Sequence, residues 1–197
     1  MGKVTVICNV TLDGVMQAPG RPDEDERDGF THGGWATPYA ADAMGRLFAG
    51  EGDGAPGAML FGRHTYQGFF DFWPKQDPNP FTDHLNQVTK YVVSSTLSEP
   101  LPWPNSVLIS GDAATEIAAL KQERNLTLLG SGALIRSLLP SGVIDEFKLL
   151  IHPIVLGSGR RLFDDGAEAT LHLESVLGTT TGVVITTYRS APEPETA

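Results

Sequence analysis

The run Leu126-Thr127-Leu128-Leu129-Gly130-Ser131-Gly132-Ala133-Leu134-Ile135 is the stretch on which the fold turns. Leu126 to Leu129 is short, apolar and strand-like; Gly130-Ser131-Gly132 is a turn; Ala133 to Leu139 reads as a helix stopped by Pro140 and Gly142. Glycines let a backbone approach another group closely, and the first amides of a helix lack partners, so a junction of this kind can accept an anion. A plain strand–turn–helix connection explains the same residues equally well. The spacing is neither a Rossmann fingerprint nor a P-loop with its Gly-Lys-Ser/Thr, so dinucleotide binding by those two routes is disfavoured.

The same punctuation recurs on both sides. Lys3 to Val10 is apolar and β-branched and reads as a strand, continued past a bend at Gly14 by Leu12-Asp13-Gly14-Val15-Met16. Tyr39 to Ala49 carries Ala40, Met44, Leu47 and Phe48 on one helical face. Ala58 to Phe61 is a strand running into a helix toward Phe69 and Phe70, and Phe81 to Val88 is a brief helix. Lys90 to Ser94 and Ser106 to Ser110 are further strands, and Asp112 or Thr115 caps a helix through Arg124. Phe147 to Leu156 reads as a long strand, and Leu171 to Val176 with Val183 to Arg189 as a closing antiparallel pair. Strands alternating with helices, then a strand pair, define an α/β domain with a mostly parallel sheet and an antiparallel edge. One domain over residues 1–190 absorbs the pattern, with 191–197 as a flexible tail.

The 197 residues carry 14 basic and 24 acidic side chains, a net charge of −10. That balance argues against nucleic acid or an anionic membrane surface as the main partner. The charge is local: Asp23 to Asp28 holds five acids and one arginine, which leaves room for a basic pocket elsewhere. This acidic cluster lies in a long polar stretch, Ala18 to Pro38, of the length expected of an active-site lid or of a disordered segment kept solvated by its charge. Cys8, the only cysteine, reads as an inert core thiol. The five histidines show no metal-ligand spacing, so no metal site is expected. With no leader pattern and no run near the ~20 apolar residues of a membrane span, a soluble cytoplasmic protein is expected.

Two more strand ends carry candidate ligand groups. Gly62-Arg63-His64-Thr65 offers a cation and a hydroxyl for a phosphate, and Ser94-Ser95-Thr96 offers three hydroxyls for a ribose or its phosphate. Each is also an ordinary strand exit or turn. Together with Gly130-Ser131-Gly132 they mark three carboxyl ends of strands, where open α/β sheets bind ligands.

In their order, five stretches resemble the dihydrofolate-reductase-like superfamily. They are Thr11-Leu12-Asp13-Gly14, Gly33-Gly34-Trp35, Leu60-Phe61-Gly62-Arg63-His64-Thr65-Tyr66, Gly130-Ser131-Gly132-Ala133-Leu134 and Pro153-Ile154-Val155-Leu156-Gly157-Ser158-Gly159. The closer likeness is to the reductase domain of the bifunctional riboflavin-biosynthesis deaminase-reductase, here as a stand-alone unit. The resemblance implies a three-layer αβα fold and NADPH as cofactor. It implies that Gly62, Arg63, His64 and Thr65 lie beside the cofactor phosphates, and Ser94, Ser95 and Thr96 beside the adenosine ribose and its 2′-phosphate. Gly130, Ser131, Gly132, Ala133 and Leu134 would surround the pyrophosphate. Asp13 would border the nicotinamide and substrate, and Asp42, on the first helix, is the nearest match to the acid that contacts a pterin. Trp35, Tyr66, Phe70 and Trp73 can stack on a flat heterocycle or simply pack a core. Arg160 and Arg161 can hold a substrate phosphate or lie at an interface. A homodimer is expected by resemblance.

The chain also departs from its relatives. A glycine-rich connector, Gly50 to Gly57, and the lack of a Trp-x-x-Pro-x-Asp arrangement speak against a true dihydrofolate reductase. One cysteine cannot build a zinc deaminase half. The implied activity is NADPH-dependent hydride transfer to a small heterocyclic or sugar-derived substrate, with 5-amino-6-(5-phosphoribosylamino)uracil reductase as the family label. Dihydrofolate or pterin reduction, and an NADP(H)-binding sensor without catalysis, are the alternatives.

Overall fold

The computed structural model describes residues 2–48, 57–164 and 166–191. The expected connector from Gly50, up to residue 56, and the tail beyond Ala191 lie outside the described residues. The elements run β1 Val4–Thr11, α1 Ala40–Phe48, β2 Ala58–Gly62, α2 Arg63–Phe72, α3 Pro80–Gln87 and β3 Lys90–Val93. They continue with β4 Ser106–Ile109, α4 Ala113–Glu123, β5 Leu126–Leu129, α5 Gly132–Leu138, β6 Glu146–His152, β7 Leu171–Gly178 and β8 Val184–Ser190.

Eight strands form one sheet in the order β4-β3-β2-β5-β1-β6-β8-β7. The pairs from β4 to β6 are all parallel, whereas β8 runs antiparallel to both β6 and β7. Alternation along β1 divides the core into two sides. Val4, Val6, Cys8 and Val10 pack with Ile117 of α4 and Leu134, Ile135 and Leu138 of α5. On the other face, Ile7 meets Ala43 and Leu47 of α1, while Met59, Phe61 and Val92 meet Tyr66 of α2 and Leu85 of α3. β1 is thus covered on both faces, which is why its sequence is largely apolar and β-branched rather than alternating with charged residues. Cys8 is buried, and burial pushes its thiol up to about 12, as an inert core thiol requires.

Two strand expectations are corrected. The first strand does not continue past Gly14: residues 12–14 form a turn, with Gly14 at φ +80°, and beyond it Val15 makes only a lone bridge to Arg161. β6 ends at His152 rather than Leu156, because Pro153 has no N–H to extend a ladder. Of the two candidate caps for α4, Asp112 serves, accepting from the Thr115 N–H at 2.9 Å.

Lys90 lies wholly inside the structure. Its ammonium donates to the carbonyls of Leu85 (2.7 Å) and Val88 (2.8 Å) at the end of α3 and sits 4.8 Å from the Trp103 ring centroid. Burial pushes its pKa down to about 8, below the ~10.4 of an unfolded lysine. Between those values the unfolded chain holds more protons, so this group adds stability as pH rises through that window. Lys90→Met should cost about 1–3 kcal/mol by orphaning two carbonyls. In urea titrations the gap to the parent should widen from pH 7.5 to pH 10; a constant gap would refute the assignment.

Candidate functional site

β2 and β5 are neighbours and parallel, yet their exits diverge. From β2 the chain enters α2 and goes on to β3; from β5 it enters α5, on the opposite face, and goes on to β6 beyond β1. Adjacent strands whose connections part in this way leave a crevice at their carboxyl ends, the usual ligand position of an open α/β sheet.

The crevice is held by Ser131. Its Oγ accepts from the Gly62 N–H at 2.9 Å and donates to Thr65 Oγ1 at 2.8 Å, joining the two strand ends. Gly130 and Ser131 are both left-handed, at φ +55° and +59°, which brings the turn back over α2; a Cβ on Gly130 would lie 3.8 Å from the Thr65 methyl. A Cβ on Gly62 would stand 3.3 Å from Ser131 Oγ and 3.5 Å from Leu134 Cβ, so the crossing is already tight. No side chain caps the start of α2, so its first amides remain available. Gly62, Thr65, Gly130, Ser131, Gly132 and Leu134 are therefore brought together, with Ala133 exposed beside them. The Ser131 hydroxyl, however, is spent within the protein and braces the turn.

Arg63 and His64 complete this edge, with Arg63 Nη2 3.1 Å from His64 Nε2. Partial burial pushes the His64 pKa down, and the positive charges of Arg27, Arg63 and Arg160 push it further against the opposing charge of Asp25. Those arginines belong to three segments, which places α2, the 18–38 loop and the loop after β6 around one rim, where Arg27 is paired with Asp25 and Arg160 with Asp28.

The long loop is packed rather than frayed. Val15, Ala18, Phe30, Trp35 and Ala36 form their own cluster. Gln17, 4% exposed, is its hub: Nε2 donates to the carbonyls of Asp25 (3.1 Å) and Arg27 (3.0 Å), Oε1 accepts from Arg160 N–H (2.9 Å), and its carbonyl accepts from Trp35 Nε1 (2.7 Å). The loop reaches α2 through Arg21, whose guanidinium lies 4.5 Å from the Phe72 ring centroid, and reaches the loop after β6 through Asp28 and Arg160, 2.7 Å apart. Gly159, at φ +114°, permits that packing, since a Cβ there would fall 2.6 Å from Phe30.

Other expected residues fall in different places. Ser94 is buried and accepts from the N–H groups of Thr96 and Leu97, both at 3.1 Å, so it shapes the turn that leaves Ser95 and Thr96 exposed at the end of β3. Tyr66, expected against a substrate, belongs to the core instead: it is 1% exposed, donating to Ser106 Oγ and accepting from Trp103 N–H. Phe70 stacks on Tyr66 at 6.5 Å, and Trp35 is buried in the loop cluster. Asp42 accepts from the Thr180 N–H (2.6 Å) and hydroxyl (2.7 Å) and pairs with Arg46, so it ties α1 to the β7–β8 turn. Arg160 and Arg161, with Arg136, Gly159, Phe163 and Asp164, line a cavity of about 490 Å³.

Asp13 accepts from Thr11 Oγ1 (2.6 Å) and from the N–H groups of Leu156 (3.2 Å) and Gly157 (2.8 Å). The Thr11 hydroxyl bond, with those amides, holds its carboxyl down to about 2; the Thr180 hydroxyl and Arg46 do the same for Asp42. Neither carboxyl is a proton donor at neutral pH; both are anchors. Sequence reading missed Gln17, Arg21, Arg27 and the pairing of half-buried Asn9 with buried His152, none of which stands in a motif.

Among the described residues no helix is long and apolar enough to cross a membrane. The sheet order, the crevice and the clasped glycine turns define a dihydrofolate-reductase-like α/β protein. This chain belongs to the RibD C-terminal domain family, which matches residues 2–185. Among solved structures it is similar to a Shewanella sp. PV-4 protein provisionally assigned to riboflavin biosynthesis (TM-score 0.65, 21% identity, 96% of this chain and 99% of that one). It is similar to the dihydrofolate reductase of Enterococcus faecalis, solved with NADP(H) and RAB-propyl (0.63, 13%, 97% and 98%). A pyrimidine reductase-like protein of Corynebacterium diphtheriae is a third (0.61, 14%, 98% and 93%). The uncharacterised protein YyaP of Bacillus subtilis (strain 168) is 32% identical over 114 residues, spanning 54% of this chain and 59% of YyaP.

Asp13→Asn removes the charge from the anchor between the first turn and the loop after β6. It should lower Tm by about 2–4 °C, the equivalent of roughly 1 kcal/mol in a chain this long. Because the native pKa is depressed, the stabilisation is lost as pH falls from about 4 toward 2, so thermal melts across that range should converge. Melts that never differ would show the anchor to be idle.

Proposed function

We propose that the chain is one reductase domain that takes hydride from NADPH and delivers it to a C=N or C=O bond of a small heterocyclic or sugar-derived compound. The observation that carries this reading is the Ser131 clasp, which sets two glycine-bearing strand ends and the uncapped start of α2 at a crevice beside Arg63. Gly62 adds no side chain of its own where the strand ends meet, so its backbone comes close to Ser131 and Leu134, and a close backbone approach of this kind suits a pyrophosphate. Arg63, His64 and Thr65 would hold the phosphates, with Gly130, Gly132, Ala133 and Leu134 on the other side. Ser95 and Thr96 would meet the ribose and its 2′-phosphate, positioned by Ser94.

When bound, the nicotinamide supplies the hydride. The protein's part is to orient and to exclude water: the 18–38 loop spans the rim from Phe72 to Arg160, and Asp13 fixes the turn beneath it. Family membership supports 5-amino-6-(5-phosphoribosylamino)uracil or a related pyrimidine as substrate, with Arg160 toward its phosphate. The pterin alternative leans on Asp42, whose oxygens are committed to Thr180 and Arg46.

A second copy of the chain is the expected partner. β7 is an edge strand with Leu173, Val176 and Leu177 between 42% and 57% exposed, an apolar edge of the kind that pairs. Sedimentation should show a dimer that Val176→Lys dissociates; a monomeric parent would refute it.

The reading is tested by fluorescence titration with NADPH and NADH. Micromolar NADPH binding, at least tenfold weaker NADH binding and a further tenfold loss in Arg63→Ala are expected. No binding of either nucleotide at millimolar concentration would overturn it.

A further inference from the structure

The register of β1 with β6 sets Asn9 opposite Leu150 and Thr11 opposite His152. Side chains alternate along a strand, so Asn9, Thr11 and His152 share the face on which Ile7 and Leu150 pack against α1. His152 is 1% exposed, enclosed edge-on by Trp35 (5.1 Å between centroids) and Tyr39 (5.3 Å). Its Nε2 lies 2.9 Å from Asn9 Oδ1, while Nδ1 is buried with no hydrogen-bond partner.

Burial pushes the His152 pKa down to about 4, so at neutral pH the ring holds one proton. Asn9 Oδ1 can only accept, so that proton sits on Nε2. With Oδ1 on the ring, the carboxamide nitrogen of Asn9 is turned away from His152. Among the described residues, Asn9 Nδ2 has no protein partner, and Asn9 is only half-buried. It therefore presents two N–H donors at the carboxyl end of β1, two residues before Thr11 and beside β5, whose exit is the Gly130 turn. A phenyl ring would fill the place of His152 without an orphaned Nδ1, so packing alone does not call for this polar pair.

We propose that Asn9, oriented by His152, is a specificity-determining residue that donates its side-chain N–H groups to an acceptor, a carbonyl oxygen or ring nitrogen, on the edge of a flat heterocycle. This deepens the reductase reading and rests on it for the identity of the ligand. Two sources carry such an acceptor: the nicotinamide carboxamide of the cofactor and the heterocycle being reduced. His152 acts as a positioning residue through Asn9.

The test measures binding of NADPH, and of 5,6-diaminouracil in the presence of saturating NADP⁺, to the parent and to Asn9→Leu, His152→Phe and His152→Gln. Asn9→Leu and His152→Phe should each weaken one probe at least tenfold, and the probe affected names the source. His152→Gln, which can still donate to Oδ1, should stay within threefold of the parent. A purely structural role would instead lower Tm and leave affinity alone; His152→Phe should keep its Tm, so it remains informative should Asn9→Leu fold poorly. If the parent binds NADPH but Asn9→Leu and His152→Phe bind both probes as the parent does, the Asn9 proposal falls and the reductase reading stands. If the parent binds only 5,6-diaminouracil and the variants lose it, the reverse holds. Binding of neither probe by the parent overturns both.

Discussion

One hydroxyl joins the two halves of the sheet's crest. Ser131 Oγ accepts from Gly62 N–H and donates to Thr65, so the exits of β2 and β5 meet although they head for opposite faces. Open α/β sheets part at such a point, and a sheet left to itself would present a gap. Here the gap is narrowed to backbone width, because Gly62 and Gly130 place no side chain in it and the left-handed Gly130–Ser131 step folds the turn inward. Everything else at the crest is arranged around that narrow crossing: the rim, the loop that spans it and the exposed hydroxyls of Ser95 and Thr96.

The second constraint is Gln17. A loop carrying five acids within six residues would ordinarily repel itself into solvent. Gln17 opposes this by taking two loop carbonyls on its amide nitrogen and the Arg160 amide on its oxygen, all from a position 4% exposed. Three of the five acids are then paired: Asp25 with Arg27, Asp23 with Arg21 and Asp28 with Arg160. The chain's acidity is thus concentrated in a loop whose arginines are matched to it, and Arg63 beside His64 stands outside those pairs. Net charge alone misstates the field a ligand would meet.

Much of this was legible in the sequence. The strand-to-helix units at Leu126, Ala58 and Ser106 follow from local patterning and punctuation, which act over a few residues. The two strand errors come from local geometry that hydropathy does not encode: the turn at residues 12–14, with its left-handed Gly14, ends one ladder, and Pro153 ends another within a largely apolar stretch. The site was readable where it sits in glycine turns and obscure where it depends on distant partners. Gln17 meets Arg160 and Asn9 meets His152 across 143 residues of chain, and neither pairing leaves a trace in spacing. Tyr66 reads equally as a ligand-stacking ring or as core, because the partners that bury it, Trp103 and Ser106, lie far along the sequence.

The two aspartates bear on the kind of chemistry the crest can support. Acids that serve as proton donors sit where burial or a neighbouring carboxylate raises their pKa. Asp13 and Asp42 sit in the opposite setting, each surrounded by donors that hold it near 2, and each joins two segments of chain. His152 is the titratable ring at the carboxyl end of β6, and burial keeps it neutral while its one proton is committed to Asn9. Asp13, Asp42 and His152 thus fix geometry. Such a site is suited to a reaction whose bond-making pair arrives with a bound group, and in which the protein's work is alignment, selection and exclusion of water.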